Sequence, residues 1–243
     1  MFMALDTDIL LYRAASAAET EIEWDTDIWS LYTDLKEAKS IFNAQIENIK
    51  QRLQVEDFIC CLSDHKSNFR KEIDPSYKSN RKGTRKPVGY TALVDWVRDT
   101  YKSLSKPSLE ADDVMSLLAT KEENIGKCII VSDDKDMLSC PTKVYRPTRD
   151  ELLDIRPAQA DAYFFTQVLT GDTADGYPGC KGVGEKTAAK ILGNRPTWSS
   201  VEQAFIKAGL TKEDALTQAR LARILRWEDW DQENQKPILW RPK

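Results

Sequence analysis

Nine acidic residues stand in short groups along the chain: Asp6; Asp64; Glu110, Asp112 and Asp113; Asp134 and Asp136; Asp172 and Asp175. Surface acids are common, and with 39 Asp and Glu residues in the chain any one of these is unremarkable. Their contexts are not. Asp-Lys-Asp follows an apolar run directly, Glu-Ala-Asp-Asp opens an apolar periodic segment, and Gly-Asp-Thr-Ala-Asp precedes a glycine-rich stretch. If the nine converge, two like charges ~4 Å apart repel by about 4 kcal/mol at an effective dielectric of 20, so such a cluster requires cations. Oxygen-only donors select hard ions, Mg²⁺ or Mn²⁺, and a pair of them about 4 Å apart suits in-line displacement at phosphorus.

Something must bring these acids together. Phe2 to Leu5, Phe58 to Leu62 and Cys128 to Val131 are short apolar runs that read as buried strands, each closing on an acid. Between them apolar residues recur at helical spacing: a long amphipathic helix over Ile28 to Leu53, then Leu93 to Leu104, Glu110 to Leu118, and 157 to 170. A short strand at Lys143 to Tyr145 extends the sheet, and smaller helices run on to about Leu225. This alternation predicts an α/β fold with a mainly parallel central sheet flanked by helices. Sites in such folds lie beyond the carboxyl ends of the strands, where Asp6, Asp64, Asp134 and Asp136 fall. The chain divides into an α/β core over 1–156, with a basic arch at about 66–89, and a helical subdomain with a tail over 157–243. Trp227, Trp230 and Trp240 in that tail are expected to pack back on the body.

The net charge of −4 conceals local contrast, because residues 66–86 carry eight Lys or Arg against Glu72 and Asp74. Lys181-Gly182-Val183-Gly184 places glycines directly before a helix, where bare N–H groups approach a phosphate closely. Five scattered cysteines suggest reduced thiols and a cytoplasmic location, host cytoplasm if phage-encoded. Neither a secretory signal nor an apolar run of the ~18 residues needed to span a bilayer is expected. His65 is the single histidine; zinc binding with Cys60 and Cys61 is disfavoured because adjacent residues of a strand face opposite ways. With one histidine, no Ser–His or Cys–His nucleophile is expected, and a metal-activated water is the expected attacking group.

Leu109 to Val114, Val131 to Asp136 and Gly171 to Lys190 resemble the 5′-nuclease family of flap endonucleases and 5′→3′ exonucleases, in the family's order. The resemblance runs from Asp6 to about Leu192, and the chain's size is most like a stand-alone, phage-encoded version without a polymerase region. It implies that the core is catalytic and the helical subdomain binds DNA, that all nine acids are metal ligands, and that K⁺ accompanies the Gly182–Gly184 turn. Tyr77-Lys78-Ser79-Asn80-Arg81 resembles the family's YKxNR stretch on the arch, so Lys78 and Arg81 become the catalytic cations at the scissile phosphate. Tyr77 would stack on a base. Arg70, Lys71 and Lys82, with Lys181, Gly182, Gly184, Lys186 and Lys190, would contact DNA, while Lys86 at the far end of the basic segment should matter less. Thr7 and Asp8 depart from the family's usual Gly after the first aspartate, and Gly176 and Cys180 from its usual Asn and β-branched residue. The implied activity is metal-dependent cleavage of DNA at 5′ ends, flaps or duplex/single-strand junctions, with no membrane partner. A PIN-type ribonuclease and a non-catalytic branched-DNA-binding replication accessory protein are the alternatives.

Overall fold

The computed structural model describes residues 1–81 and 83–242. Six strands form one sheet in the order β5-β4-β1-β6-β7-β8. They are β1 (Phe2–Asp6), β4 (Asp57–Cys61), β5 (Ser103–Leu104), β6 (Cys128–Val131), β7 (Lys143–Arg146) and β8 (Glu151–Asp154). All neighbours run parallel except β8, which turns back antiparallel on β7. Central β1 pairs with β4 on one side and β6 on the other. The chain therefore leaves the carboxyl end of β1 at the place where the connections diverge, which opens a crevice there.

Period-2 alternation in the strands divides the core into two layers. Met3, Leu5, Cys60, Ile129 and Val131 face helices α1 (Thr7–Ala17), α2 (Leu35–Leu53) and α4 (Tyr90–Thr100). Ala4, Cys61, Cys128, Ile130 and Val144 face α5 (Ala111–Thr120). Cys60 and Cys61 thus point to opposite layers as expected, and all five cysteines are buried and unpaired. Ile224, Leu225 and Trp230 from the tail complete the second layer. A third core belongs to α6 (Pro157–Thr170), α7 (Glu185–Leu192), α8 (Trp198–Lys207) and α9 (Lys212–Ala222). Trp240 packs there against Trp198 and Phe164, with ring centroids 4.9 and 5.2 Å away, so the aromatic tail does return to the body. Among the described residues, no helix is long and apolar enough to cross a membrane.

The expected helix over Ile28 to Leu53 is wrong at its start. Residues 28–33 form β3 (Ile28–Thr33), which pairs antiparallel with β2 (Glu19–Asp25) in a separate two-stranded ribbon. The helix begins only at Leu35, where the Asp34 carboxylate caps it by accepting the Lys36 and Glu37 N–H groups. The helix expected over Leu93 to Leu104 likewise stops at Thr100, leaving Ser103–Leu104 to form the edge strand β5. The basic stretch holds one helical turn, α3 (Arg70–Ile73), and a 3₁₀ turn at Ser79–Arg81, within otherwise irregular chain.

Candidate active site

Asp6 closes β1, Asp134 follows β6, and Asp112 lies in the first turn of α5, all around one crevice. Ser132 couples the first two: its hydroxyl donates to Asp6 at 2.7 Å and accepts the Asp134 N–H at 3.1 Å. Among the described residues, nothing hydrogen-bonds the Asp112 carboxylate. Burial, then repulsion from Asp134 and Asp6, pushes Asp112 well above the usual carboxylate range. Burial likewise raises Asp6 to about 7, opposed by the Ser132 hydroxyl and reinforced by Asp8 and Asp134. Asp136 also rises to about 7, through burial and the neighbouring Asp134, Asp175 and Asp172. Gln167 of α6 orients it, donating from Nε2 to Asp136 Oδ1 at 2.6 Å.

Glu110, Asp172 and Asp175 are neutralised by the chain's own cations. Glu110 binds the Lys78 ammonium and lies 3.1 Å from Arg70; these two outweigh its burial and hold it down at about 2. Asp175 takes Arg81 at 2.7 Å and Lys78 at 3.5 Å, and Asp172 takes Lys135 at 2.8 Å. The loop showing Asp172 and Asp175 is locked by Gly171 and Gly179, both at positive φ; a Cβ on either would run into the other's backbone neighbourhood. A cavity of about 700 Å³ lies in front of Asp6, Glu110, Asp112 and Asp134, whereas Asp136, Asp172 and Asp175 do not line it. Asp6, Asp64, Asp112 and Asp134 share its wall with Lys66, Lys71, Lys78, Arg81 and Lys86.

Several expectations need correction. Asp113 is no free metal ligand: it is fully buried, and both its oxygens are taken by Arg70 at 2.7 and 2.8 Å. Arg70 is accordingly no DNA contact, being 1% exposed. Nor can Tyr77 stack on a base, since it is buried with its hydroxyl between Glu110 and Asp175, 2.9 and 3.0 Å away. Asp64 reaches the wall, but its oxygens organise the local loop, accepting Lys66 N–H, Ser67 hydroxyl and Ser108 N–H. Lys86 is not remote, because it lies on the same wall. Lys82 falls outside the described residues. Lys181 and Lys186 are exposed around the start of α7 and Lys190 in its last turn, and none of the three pairs with the carboxylates. Sequence reasoning missed Ser132 and Gln167 as positioning groups. It noted Asp8 only as a departure; that carboxylate accepts the Ser63 N–H and the Tyr90 hydroxyl, each at 3.0 Å.

Do these groups suit divalent cations? Among the described residues, no three potential ligands are already drawn around one point. The fit rests instead on the donor chemistry: Asp6, Asp112, Asp134 and Asp136 offer only oxygen, have no salt-bridged cation among the described residues, and repel one another. A pH dependence follows. Asp6 and Asp136 bind protons more tightly folded than unfolded between about pH 4 and 7, so stability of the metal-free protein falls as pH rises through that window. Thermal melting should thus show a lower Tm at about pH 8 than at about pH 5.5 without Mg²⁺, and Mg²⁺ should raise Tm more at the higher pH. A Tm that climbs with pH in EDTA would contradict the raised carboxylates.

Comparison with known proteins identifies the family. The 5′-3′ exonuclease N-terminal, resolvase-like domain matches residues 1–162. The exonuclease of Escherichia phage T7 is 30% identical, the alignment covering 99% of this chain and 93% of the relative. The exodeoxyribonuclease of Enterobacteria phage T3 is 29% identical over the same shares. Among solved structures, the bacteriophage T5 D15 flap endonuclease, in a pseudo-enzyme-product complex with DNA and metal ions, superposes with a TM-score of 0.63. It is 16% identical, over 92% of this chain and 89% of that one, and so supports the fold. On the domain match and the near full-length phage relatives, the chain belongs to the 5′-3′ exonuclease family of nucleases.

Proposed function

We propose that the chain hydrolyses DNA phosphodiester bonds near 5′ ends and at flap or duplex/single-strand junctions, by a two-metal-ion mechanism using Mg²⁺ or Mn²⁺. The observation that carries this reading is the convergence of Asp6, Asp112 and Asp134 at the carboxyl edge of the sheet, opposite Lys78 and Arg81. Asp6, Asp112 and Asp134 would hold one ion, and Asp136 would help hold the second, joined by Asp172 and Asp175 where Lys135 and Arg81 release them. When bound, the cations supply Lewis acidity to the phosphate and to the attacking water. Lys78 and Arg81 are anchored by Glu110 and Asp175 and offer N–H donors toward charge developing on the phosphate. Glu110 and Asp175 act as holders of these cations. Residues up to about 156, joined by Asp172 and Asp175, carry the chemistry, and the helices that follow carry the grip on duplex. The five unpaired cysteines favour action in a reducing cytoplasm. Digestion of 5′-labelled duplex, flap and single-stranded DNA tests the proposal. Short 5′ products should appear with Mg²⁺ and vanish in EDTA; cleavage indifferent to EDTA, or confined to RNA, would overturn it.

The grip is separable from the chemistry. Gly184 caps α7 with φ −99° and ψ 179°, and a Cβ built there meets nothing within 4 Å. Gly184→Val therefore adds bulk at the helix start without backbone strain, at the cost of a poorer cap worth about 1 kcal/mol. It should weaken binding to duplex-containing substrates and spare cleavage of a short single strand. Neutralising Lys186 or Lys190 should each lower the salt slope of duplex binding by about one. A folded Gly184→Val protein with unchanged duplex affinity would reduce this loop to a plain turn.

A further inference from the structure

The β2–β3 ribbon contributes almost nothing to a core. Of its strand residues only Thr33 is buried, while Trp24, Trp29 and Tyr32 are more than half exposed. Its base, however, is tightly engaged. Glu19 and Thr33 are cross-strand partners at the ribbon's root, and both grip the same piece of chain, the leg of the arch that returns to α4. Glu19 takes both Arg85 guanidinium nitrogens, at 2.6 and 2.9 Å, and accepts the Val88 N–H at 2.7 Å. The Thr33 hydroxyl accepts the Gly89 N–H at 3.1 Å, an approach so close that a Cβ at Gly89 would collide with the Thr33 side chain.

The leg needs such a hold, because residues 83–89 form neither helix nor strand. Between the two grips lies Lys86, whose ammonium sits 4.3 Å over the Tyr90 ring. Tyr90 in turn donates to Asp8. Lys86, Tyr90 and Asp8 all line the cavity that holds Asp6 and Asp112. We infer that the β2–β3 ribbon is a brace for the returning leg of the arch, and that Glu19 is the positioning residue that keeps Lys86 and Tyr90 on the cavity wall. The brace rests on contacts alone; its effect on catalysis rests on the proposed nuclease reading.

Two readouts separate these. Hydrogen exchange in the segment 83–90 of the full chain reports the brace without any substrate. Glu19→Ala should speed it, Glu19→Gln less so, because the amide oxygen still accepts from Val88. In steady-state cleavage of a 5′-flap substrate with Mg²⁺, Glu19→Ala should raise KM about five-fold, an ion pair's worth, with kcat little changed. Arg85→Ala should behave alike, the double variant should be no worse than either, and Glu19→Arg with Arg85→Glu should recover part of the loss. Unaltered exchange in Glu19→Ala would overturn the brace, as would additive KM effects or a loss confined to kcat. If the wild-type chain cuts no DNA, the nuclease reading fails and the exchange measurement alone decides the brace.

Discussion

Asp112→Asn should lower Mg²⁺-dependent cleavage by a factor on the order of 10² to 10³ or more while DNA binding persists. The carboxylate is half-buried, faces Asp6 and Asp134, and has no hydrogen-bond partner among the described residues. In the metal-free protein it is therefore a liability, destabilised by burial and by two like charges. Asparagine keeps its shape and removes the charge, so the variant should melt no lower than wild type in EDTA at about pH 8. What it loses is attraction for divalent cations. The Tm gain on adding Mg²⁺ should shrink in parallel with turnover, and titration calorimetry should show weaker Mg²⁺ binding. This coupled result distinguishes a ligand from a residue that merely shapes the fold. Near-normal turnover in Mg²⁺ would remove Asp112 from the metal site and leave the two-ion mechanism without its central acid.

The strands that position Asp6 and Asp134 were legible because a fully buried strand is a short apolar run, and the acids ending those runs mark the sheet's open edge. Helix α6 was legible for its apolar period and for Pro157 at its first position. The Ile28–Leu53 segment misled because Leu31, in the strand, continues by coincidence the spacing of Leu35, Ala38, Phe42 and Ile46 in the helix. Two local signals opposed a helix there. Ile28, Trp29, Tyr32 and Thr33 are β-branched or aromatic, and Asp34 is a strong helix N-cap. Their partner strand carries a further signal that was passed over: Glu19, Glu21 and Glu23 alternate with Thr20, Ile22 and Trp24, the period of a strand, although the Trp24 face meets solvent and not a core.

Within the site, the sequence told acids from bases but not which ones meet. Of the eight cations in residues 66–86, Arg70, Lys78, Arg81 and Arg85 are committed to Asp113, Glu110, Asp175 and Glu19. A stretch that looked like a free phosphate-binding surface is thus partly an internal counter-charge for the acidic cluster. Such pairings join residues tens of positions apart, beyond the reach of periodicity or local spacing. Ser132 and Gln167 were invisible for another reason: a neutral side chain holding a carboxylate leaves no charge pattern to read.

Arg70→Ala should be the most destabilising single change in the basic segment. Its guanidinium spends every nitrogen internally: Nε on the Leu221 carbonyl at 2.9 Å, one terminal nitrogen on Asp113 and Glu110, the other on Asp113 and the Arg223 carbonyl at 2.6 Å. One side chain thereby ties the foot of the arch to the start of α5 and to the end of α9. Truncation leaves Asp113, fully buried, with only the Glu110 and Leu225 N–H groups for compensation. Stranding one partner of a buried pair costs about 3–5 kcal/mol, against a total stability of roughly 5–15 kcal/mol. For a chain of this size that is a fall in Tm of roughly 6–20 °C. Arg70→Met combined with Asp113→Leu removes both charges and should recover much of the loss. The neighbouring Lys71 is exposed on the cavity wall and gives the opposite pattern. Lys71→Ala should leave Tm unchanged and lower the salt slope of DNA binding by about one. An Arg70→Ala protein with wild-type Tm and a reduced salt slope would return Arg70 to the DNA-binding surface.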